Sequence, residues 1–284
     1  MALLSRRSAE RLCRDPVEAL VKKVGGEHMR LASKLNLSLR YGAGILGLRD
    51  SDVILTSFPR SGSTWLRFIL GNYLSLQELG GTKIDLMVLD DIMPALGRYN
   101  MLKPWSYSSI PRFVKTHWPY SRWLARPKAS IQILRDPRDV MVSYFHFLRN
   151  HQWITIPDDF GLFIRHPKFG LPLFFAHYSS WQVRNPYIVR YEALKEDAYS
   201  AVAQMLESQL SSIDTHHLHE AIARSSLREM QNVERTSGIS GPARFSDQFR
   251  IVRSGSSRQW PEYFSDDDLD YYLELCKAND FTVY

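Results

Sequence analysis

The sequence places a cation, several hydroxyls and a glycine directly after a short apolar run. Residues 52–65 read Asp-Val-Ile-Leu-Thr-Ser-Phe-Pro-Arg-Ser-Gly-Ser-Thr-Trp. The apolar run predicts a strand buried on both faces, and Pro59 and Gly62 end it. After Ser63 the apolar residues recur at helical spacing, which predicts a tight loop leading into a helix. The loop amides and the first free N–H groups of that helix would point at one spot, which favours an anion such as phosphate.

The stretch alone does not decide between phosphate binding and a purely structural role. It differs from the Walker A pattern G-x-x-x-x-G-K-[ST], because the first glycine and the lysine are both absent. An apolar strand, a Ser/Gly turn and a Ser or Thr helix cap also occur in α/β proteins that bind no nucleotide. Other segments of the chain must therefore supply the argument.

Composition limits the class of protein. The 284 residues are 44% hydrophobic and 23% charged, as in a folded protein large enough for one substantial α/β domain. The net charge of +6 fits a polyanionic ligand, a nucleic acid or an acidic membrane surface. Cys13 and Cys276 are far apart, which argues against a disulfide framework or a cysteine-rich zinc site. Because no run matches a signal peptide or a membrane span, we expect a cytoplasmic protein.

Residues 1–50 are predicted to form an N-terminal helical extension ahead of a domain at 51–284. Basic and apolar positions alternate in the extension, as they do in amphipathic helices. We favour a solvated helix packed on the domain, because acidic residues such as Glu10 and Glu18 dilute its positive face. A weak contact of this arm with a membrane surface is the alternative.

Three further apolar runs predict strands, each followed by polar residues. The runs cover 113–114, 130–134 and 187–190, and helices are predicted from Pro137 and over the ranges 195–208, 216–231 and about 266–278. Strands that alternate with helices predict a single α/β domain with a central, mostly parallel sheet. Ligands bind beyond the carboxyl ends of such strands.

The strand ends share a cationic and hydroxylic character. They carry the phosphate loop, then Lys115-Thr116-His117, Arg135 and Tyr191. We find no pair of carboxylates suited to holding Mg²⁺ and no Walker B aspartate, and we predict no metal site. A site that neutralises phosphates with side chains alone suits a nucleotide whose transferred group carries less charge than a phosphoryl group.

Five segments in order resemble the motifs of the cytosolic sulfotransferase family. The run 57–65 resembles its 5′-phosphosulfate-binding loop, and 135–147, Arg-Asp-Pro-Arg-Asp-Val-Met-Val-Ser-Tyr-Phe-His-Phe, resembles its 3′-phosphate-binding segment. Lys-Thr-His at 115–117 stands where the family has its catalytic Lys-Thr-His. Tyr-Glu-Ala-Leu-Lys from Tyr191 is similar to a Tyr-Glu-Asp-Leu-Lys element, and Arg-Ser-Gly at 253–255 is similar to a C-terminal Arg-Lys-Gly loop.

The resemblance implies the donor 3′-phosphoadenosine 5′-phosphosulfate (PAPS), the product 3′-phosphoadenosine 5′-phosphate (PAP) and a small-molecule hydroxyl acceptor. It implies that His117 is the general base and that Arg60 and Lys115 stabilise the transferred group and the leaving phosphate. The nucleotide-binding set that it implies is Arg60, Ser61, Gly62, Ser63, Thr64, Trp65, Arg135, Ser143, Tyr191, Ser225, Leu227, Arg253, Ser254 and Gly255.

Three positions depart from the family pattern. Arg60 stands in place of the usual lysine, so it keeps the charge but cannot act as an acid. Ser254 replaces a lysine and removes one cation from the C-terminal loop. Leu227 replaces a phenylalanine and loses a ring that could stack on adenine.

Two other functions fit parts of the sequence. The first is a P-loop-type small-molecule kinase that uses ATP and Mg²⁺, with Arg60 and Lys115 on the phosphates. The second is a basic protein that binds nucleic acid or a membrane surface, but here the cations map to strand ends and not to one charged face. We therefore expect no nucleic-acid partner and no transmembrane segment, and the oligomeric state is not predicted.

Overall fold

The structure is a computed structural model that describes residues 38–97, 99–151, 154–236 and 257–282. Four parallel strands form its sheet, in the order β2, β1, β3, β4. The strands are β1 (Val53–Ser57), β2 (Phe113–Thr116), β3 (Ala129–Leu134) and β4 (Tyr187–Arg190). The predicted α/β class with a parallel sheet is confirmed.

The register of the sheet brings the polar strand ends to one edge. Thr56 lies opposite both Thr116 and Gln132, and Leu134 lies opposite Arg190. Because all four strands run the same way, the residues that follow them leave from the same, carboxyl edge.

Helices cover the sheet and bury its apolar side chains. The helices are α1 (Ser63–Glu78), α2 (Leu86–Ile92), α3 (Pro137–Arg149), α4 (Phe160–Arg165), α5 (Leu171–Gln182), α6 (Tyr191–Glu196), α7 (Ala198–Glu207), α8 (Thr215–Arg224), α9 (Leu227–Thr236) and α10 (Asp266–Ala278). One core cluster joins strand residues such as Leu55 to α1, α7 and α8. A second cluster, which includes Phe58, joins α3, α4, α5 and α10. None of the described helices is both long and apolar enough to cross a bilayer.

Two helix predictions need correction. The range 195–208 is not one helix, because Asp197 has extended backbone and its carboxylate accepts the amide of Ser200, which starts α7 after α6 has ended. The range 216–231 is likewise divided between α8 and α9. At that junction Ser225 leaves the helical conformation, and its hydroxyl donates to the carbonyl of Ala221. In both places a short polar side chain competes with the backbone ladder.

The described residues divide into two compact units. One includes residues 38–47 and 99–103, and the other begins at residue 48 and includes the whole sheet. In the first unit, residues 38–46 are helical, and Gly47 sits so close to the carbonyl of Met101 that a Cβ would lie 2.5 Å from its oxygen. Residues 1–37 lie outside the described part, so the role of the N-terminal extension stays a prediction.

Candidate functional site

Two residues of the loop between β1 and α1 have positive φ angles. Gly62 precedes α1 with φ 98°, in the left-handed region that glycine adopts without steric cost. Arg60 also has positive φ, 72°, which is uncommon for a residue with a side chain. A Cβ on Gly62 would lie 2.5 Å from Cδ2 of Tyr191. The loop therefore requires glycine both for its conformation and for its close approach to the ring.

Arg60 reaches from this loop to helix α3. Its Nε donates to Oγ of Ser143 at 3.1 Å, and its guanidinium carbon lies 5.4 Å from the ring centre of Phe147. The backbone carbonyl of Arg60 accepts from Nη1 of Arg135 at 3.3 Å. Three of the predicted site residues are thus joined by direct contacts.

Arg135 follows β3 and lies over an aromatic ring. Its guanidinium carbon is 4.6 Å from the ring centre of Tyr191, which begins α6 directly after β4. Trp65, in the first turn of α1, meets the same ring edge-on at 5.9 Å. The carboxylate of Asp139 is 3.8 Å from Nη2 of Arg135, beyond direct hydrogen-bonding distance. The ring of Tyr191 and the carbonyl of Arg60 therefore both contact this guanidinium.

His117 follows β2 and is oriented by the end of the neighbouring strand. Its Nδ1 lies 2.7 Å from the carbonyl oxygen of Ser57 and 3.3 Å from the Ser57 hydroxyl. Because a carbonyl oxygen only accepts, Nδ1 carries the proton, and in the neutral ring Nε2 carries the lone pair. Burial and the nearby positive charge of Lys115 hold the pKa of His117 well below its usual value. The ring is thus neutral at physiological pH, with one nitrogen able to accept a proton.

A second histidine lies beneath this edge of the sheet. Nε2 of His177, on α5, is 3.3 Å from the buried Oγ1 of Thr56, and its ring meets Phe58 edge-on at 6.0 Å. Burial lowers the pKa of His177 to about 4, so this ring is neutral as well. The sequence patterns did not single out His177, because neither its spacing nor its neighbours mark it.

The loop between β1 and α1, with the first turn of α1, has polar atoms that suit a ligand with phosphate groups and a planar ring. Oγ of Ser61 and Nε1 of Trp65 are both buried with no hydrogen-bond partner among the described residues. Buried donors without partners are rare in folded proteins, and a bound water or ion is one explanation for them. Together with the guanidinium groups of Arg60 and Arg135, they form a set of donors directed at anionic oxygens, which fits PAPS or PAP.

Comparison with known proteins shows which family has this sequence and fold. The sulfotransferase domain family matches residues 50–280, which include every strand of the sheet. The chain belongs to the sulfotransferase domain family. Membership confirms the enzyme class that the sequence predicted, a sulfotransferase that uses PAPS and transfers its sulfonyl group to small-molecule acceptors.

Curated sulfotransferases are similar to this chain at moderate identity. Sulfotransferase 2A1 of Homo sapiens is 25% identical over 232 residues, which are 77% of this chain and 80% of the human protein. Luciferin sulfotransferase of Photinus pyralis is 25% identical over 268 residues, covering 82% and 72% of the two chains.

Solved structures share the fold of this sulfotransferase. The crystal structure of mouse sulfotransferase SULT7A1 complexed with PAP has a TM-score of 0.62 at 21% identity, covering 84% of this chain and 87% of the mouse chain. Retinol dehydratase in complex with androsterone and PAP also has a TM-score of 0.62, at 19% identity, covering 84% and 83%.

The predicted C-terminal and helical contributors have different outcomes in this sulfotransferase. Arg253, Ser254 and Gly255 lie outside the described residues, so their role stays a prediction. Ser225 is fully buried, and its hydroxyl accepts from Nδ2 of Asn72 at 3.0 Å while donating to Ala221. The contact of Ser225 with the nucleotide also stays a prediction. Such a contact would compete with the hydrogen bonds that the Ser225 hydroxyl makes to Asn72 and Ala221. Leu227 is 42% exposed at the start of α9.

The sequence analysis did not identify Asp139, whose carboxylate binds backbone amides next to the predicted C-terminal loop. Asp139 accepts the backbone amides of Arg258 and Gln259 at 2.6 and 2.9 Å, so it holds the chain that follows the C-terminal loop against α3. The spacing of four residues between Arg135 and Asp139 was an available signal for an ion pair. The amide contacts had no such signal, because they join residues about 120 positions apart.

Proposed function

We propose that His117 is the general base of this sulfotransferase and that Arg60 and Lys115 stabilise the transferred group and the leaving phosphate. The observation that carries the proposal is the bond from Nδ1 of His117 to the carbonyl of Ser57 at 2.7 Å. It assigns the proton to Nδ1 and leaves the lone pair on Nε2, which is the state that a general base requires. A depressed pKa keeps His117 in that state.

Proton transfer to His117 accounts for the acceptor half of the reaction. When bound, PAPS supplies an electrophilic sulfur and a phosphate leaving group. Nε2 of His117 takes the proton of the acceptor hydroxyl as the acceptor oxygen bonds to sulfur and the bond from sulfur to the phosphate oxygen breaks. The products are the sulfated acceptor and PAP, and the proton leaves later from His117 to solvent.

The two cations have different tasks. Lys115 lies on β2, two residues before His117, and its charge acts on His117, so it can hold sulfonyl oxygens as their charge grows. Arg60 presents a fixed charge to the leaving phosphate oxygen. Because a guanidinium does not lose its proton in proteins, Arg60 acts by electrostatics and hydrogen bonding and not as an acid.

The nucleotide would be held by the loop and by Arg135. Ser61 to Thr64 offer backbone and hydroxyl donors for the 5′-phosphate, in line with the unpartnered hydroxyl of Ser61. Arg135 and Ser143 would bind the 3′-phosphate, and the rings of Trp65 and Tyr191 would contact adenine. The C-terminal loop at 253–255 would complete this half of the site.

Calorimetric titration of PAP into the full chain tests the nucleotide site. We expect micromolar-order binding that is unchanged by EDTA, because the site neutralises phosphates with side chains. Arg135→Ala should weaken it about thirtyfold, since a buried charge-assisted phosphate contact is worth about 2 kcal/mol. Arg235→Ala, which removes an exposed arginine on α9, is the matched control and should bind like the unaltered chain.

The kinase alternative makes the opposite prediction. It requires binding of ATP that depends on Mg²⁺ and is lost in EDTA. Metal-dependent ATP binding, or PAP binding that Arg135→Ala leaves unchanged, would count against the proposed site. The cytoplasmic location and the domain boundary near residue 50 remain predictions beside this proposal.

A further inference from the structure

A loop beside the candidate base exposes two indole rings. Among the described tryptophans, only Trp118 and Trp123 are exposed, at 41% and 61%, and both lie in the segment 118–128, which we name the indole loop. The other exposed large apolar residues that the structure describes from residue 48 to 95 and after residue 104, such as Leu162 and Leu273, are not aromatic and lie on separate elements. Two exposed indoles in one short segment are therefore a distinct feature of this surface.

The indole loop also carries an excess of positive charge. Arg122, Arg126 and Lys128 are exposed, and from Ile92 to Arg135 the sequence contains no aspartate or glutamate. The acidic residue that faces the loop is Asp50, which pairs with Arg126 at 3.1 Å. Both members of that pair are more than half exposed, so the pair is screened and weak.

The loop is held rigidly from the protein side. The ring of Tyr120 packs against Trp181 at 5.4 Å, and Nε1 of Trp181 donates to the carbonyl of Trp118 at 2.9 Å. Leu124 is buried within the loop, so its neighbour Trp123 is directed outward. The guanidinium of Arg122 lies 5.1 Å from the ring centre of Trp123. Little conformational entropy would thus be lost when the exposed rings bind a partner.

We propose that the indole loop docks this protein on an anionic lipid bilayer. Tryptophan rings prefer the headgroup level of a membrane, where one side is apolar and the other is wet. Arginine and lysine beside them are attracted to acidic headgroups. Because Trp118 follows His117 directly, a docked bilayer would bring membrane-dissolved alcohols to the candidate base, a consequence that rests on the proposed function.

Vesicle cosedimentation of the full chain tests the docking surface. We expect binding to vesicles of phosphatidylcholine with phosphatidylserine, little binding to phosphatidylcholine alone, and loss of binding at high salt. The variant Trp123→Ser should weaken binding about tenfold. Its control is Leu162→Ser, which removes an apolar residue that is 64% exposed on α4 and should leave binding unchanged.

A charge variant separates the loop from the general charge of the protein. Arg122→Gln with Lys128→Gln should weaken binding to the anionic vesicles about twenty-five-fold, at roughly fivefold for each cation. Arg235→Gln with Lys277→Gln removes the same charge from exposed positions on α9 and α10 and should have at most a twofold effect.

Four outcomes would overturn the proposal. The first two are the absence of binding to anionic vesicles and equal loss in loop and control variants. The third is binding that persists when the loop is altered, which would assign attachment to another segment. The fourth is binding of the loop to single-stranded RNA in place of vesicles. PAP affinity, measured in the same variants, should stay constant because these residues lie outside the nucleotide site. A failure of docking is thus distinct from a failure of the proposed function.

Discussion

Two arginines at opposite ends of the sheet, Arg112 and Arg135, have different surroundings. At the amino end, Arg112 before β2 binds Asp52 before β1 through two hydrogen bonds of 2.9 and 2.7 Å, and both side chains are almost fully buried. At the carboxyl end, Arg135 lies 3.8 Å from Asp139 and rests on the ring of Tyr191. Arg112 and Asp52 thus form a buried structural ion pair, whereas Arg135 lies against the loop that is proposed to bind the nucleotide.

At the ends of the sheet, positive φ angles are concentrated in the loop at the carboxyl end of β1. That loop has them at Arg60 and Gly62, whereas the turn before β4, at the amino end, has a single one at Asn185. Unfavourable conformations persist where the surrounding structure imposes them, and they concentrate at functional sites. The comparison predicts that substitutions at the carboxyl end will change binding and rate, and that substitutions at the amino end will change stability.

The largest expected effect is on turnover, at the carboxyl end. His117→Ala should lower kcat about a hundredfold to ten-thousandfold, which is the usual contribution of a general base, while the affinity for PAP stays within a few-fold. Steady-state kinetics with PAPS and a phenolic or aliphatic alcohol would measure it. His217→Ala, a surface histidine beside Asp214, is the control and should keep full activity. If the His117→Ala enzyme kept its activity, the general base would have to be another residue.

Substitution at the amino end of the sheet should lower the stability of the fold and not its binding of PAP. Arg112→Ala leaves the buried carboxylate of Asp52 without its partner, so we expect a loss of about 3–5 kcal/mol in the free energy of unfolding. Urea denaturation would measure the loss, and the folded fraction should bind PAP normally. Replacing both Asp52 and Arg112 by leucine should restore much of the stability. If the single variant instead weakened PAP binding, the contrast between the two ends would be lost.

The buried histidine at the carboxyl end should make stability depend on pH. The folded pKa of His177 is about 4, below its ordinary value near 6.5, so only the unfolded chain takes up this proton in between. Stability should therefore fall as pH drops from 6.5 to 4, by roughly 3 kcal/mol from this residue. Denaturation of the His177→Phe variant should show a flatter pH dependence, and that of the exposed His216→Phe variant an unchanged one. Equal slopes in all three proteins would refute the assignment.

The smallest effect separates backbone strain from steric contact in the loop. Gly62→Ala and Gly80→Ala both place a side chain at positive φ, each at a cost of about 1 kcal/mol. Only the first brings Cβ against Tyr191, whereas nothing lies within 4 Å of a Cβ at Gly80. We expect PAP affinity to fall about tenfold in Gly62→Ala and to stay constant in Gly80→Ala, by calorimetry. Equal affinities would show that Tyr191 moves freely.

Local patterns were sufficient for the strands and for most of the long helices. The apolar runs at 53–55 and 187–190 lie on strands, and the predicted helix from Pro137 is confirmed as α3. The divisions at Asp197 and Ser225 were missed, because capping by short polar side chains acts against a hydrophobic period that continues through them.

The sequence by itself determined the chemistry that this protein can do. Apolar runs that alternate with helical patterns were enough to predict a parallel sheet with polar residues at its strand ends, because period and spacing are informative over short stretches. The resemblance of its motifs to those of the sulfotransferase family implied the sulfonyl donor and the base.

Only the tertiary structure decided how those groups are tuned. The tautomer of His117 depends on the carbonyl of Ser57, and the balance of charge at Arg135 depends on the ring of Tyr191. These partners lie more than fifty residues away along the chain and act through distance and burial. Hydrogen bonds and pKa values respond to atoms within a few ångströms, so no pattern along the chain could have specified them.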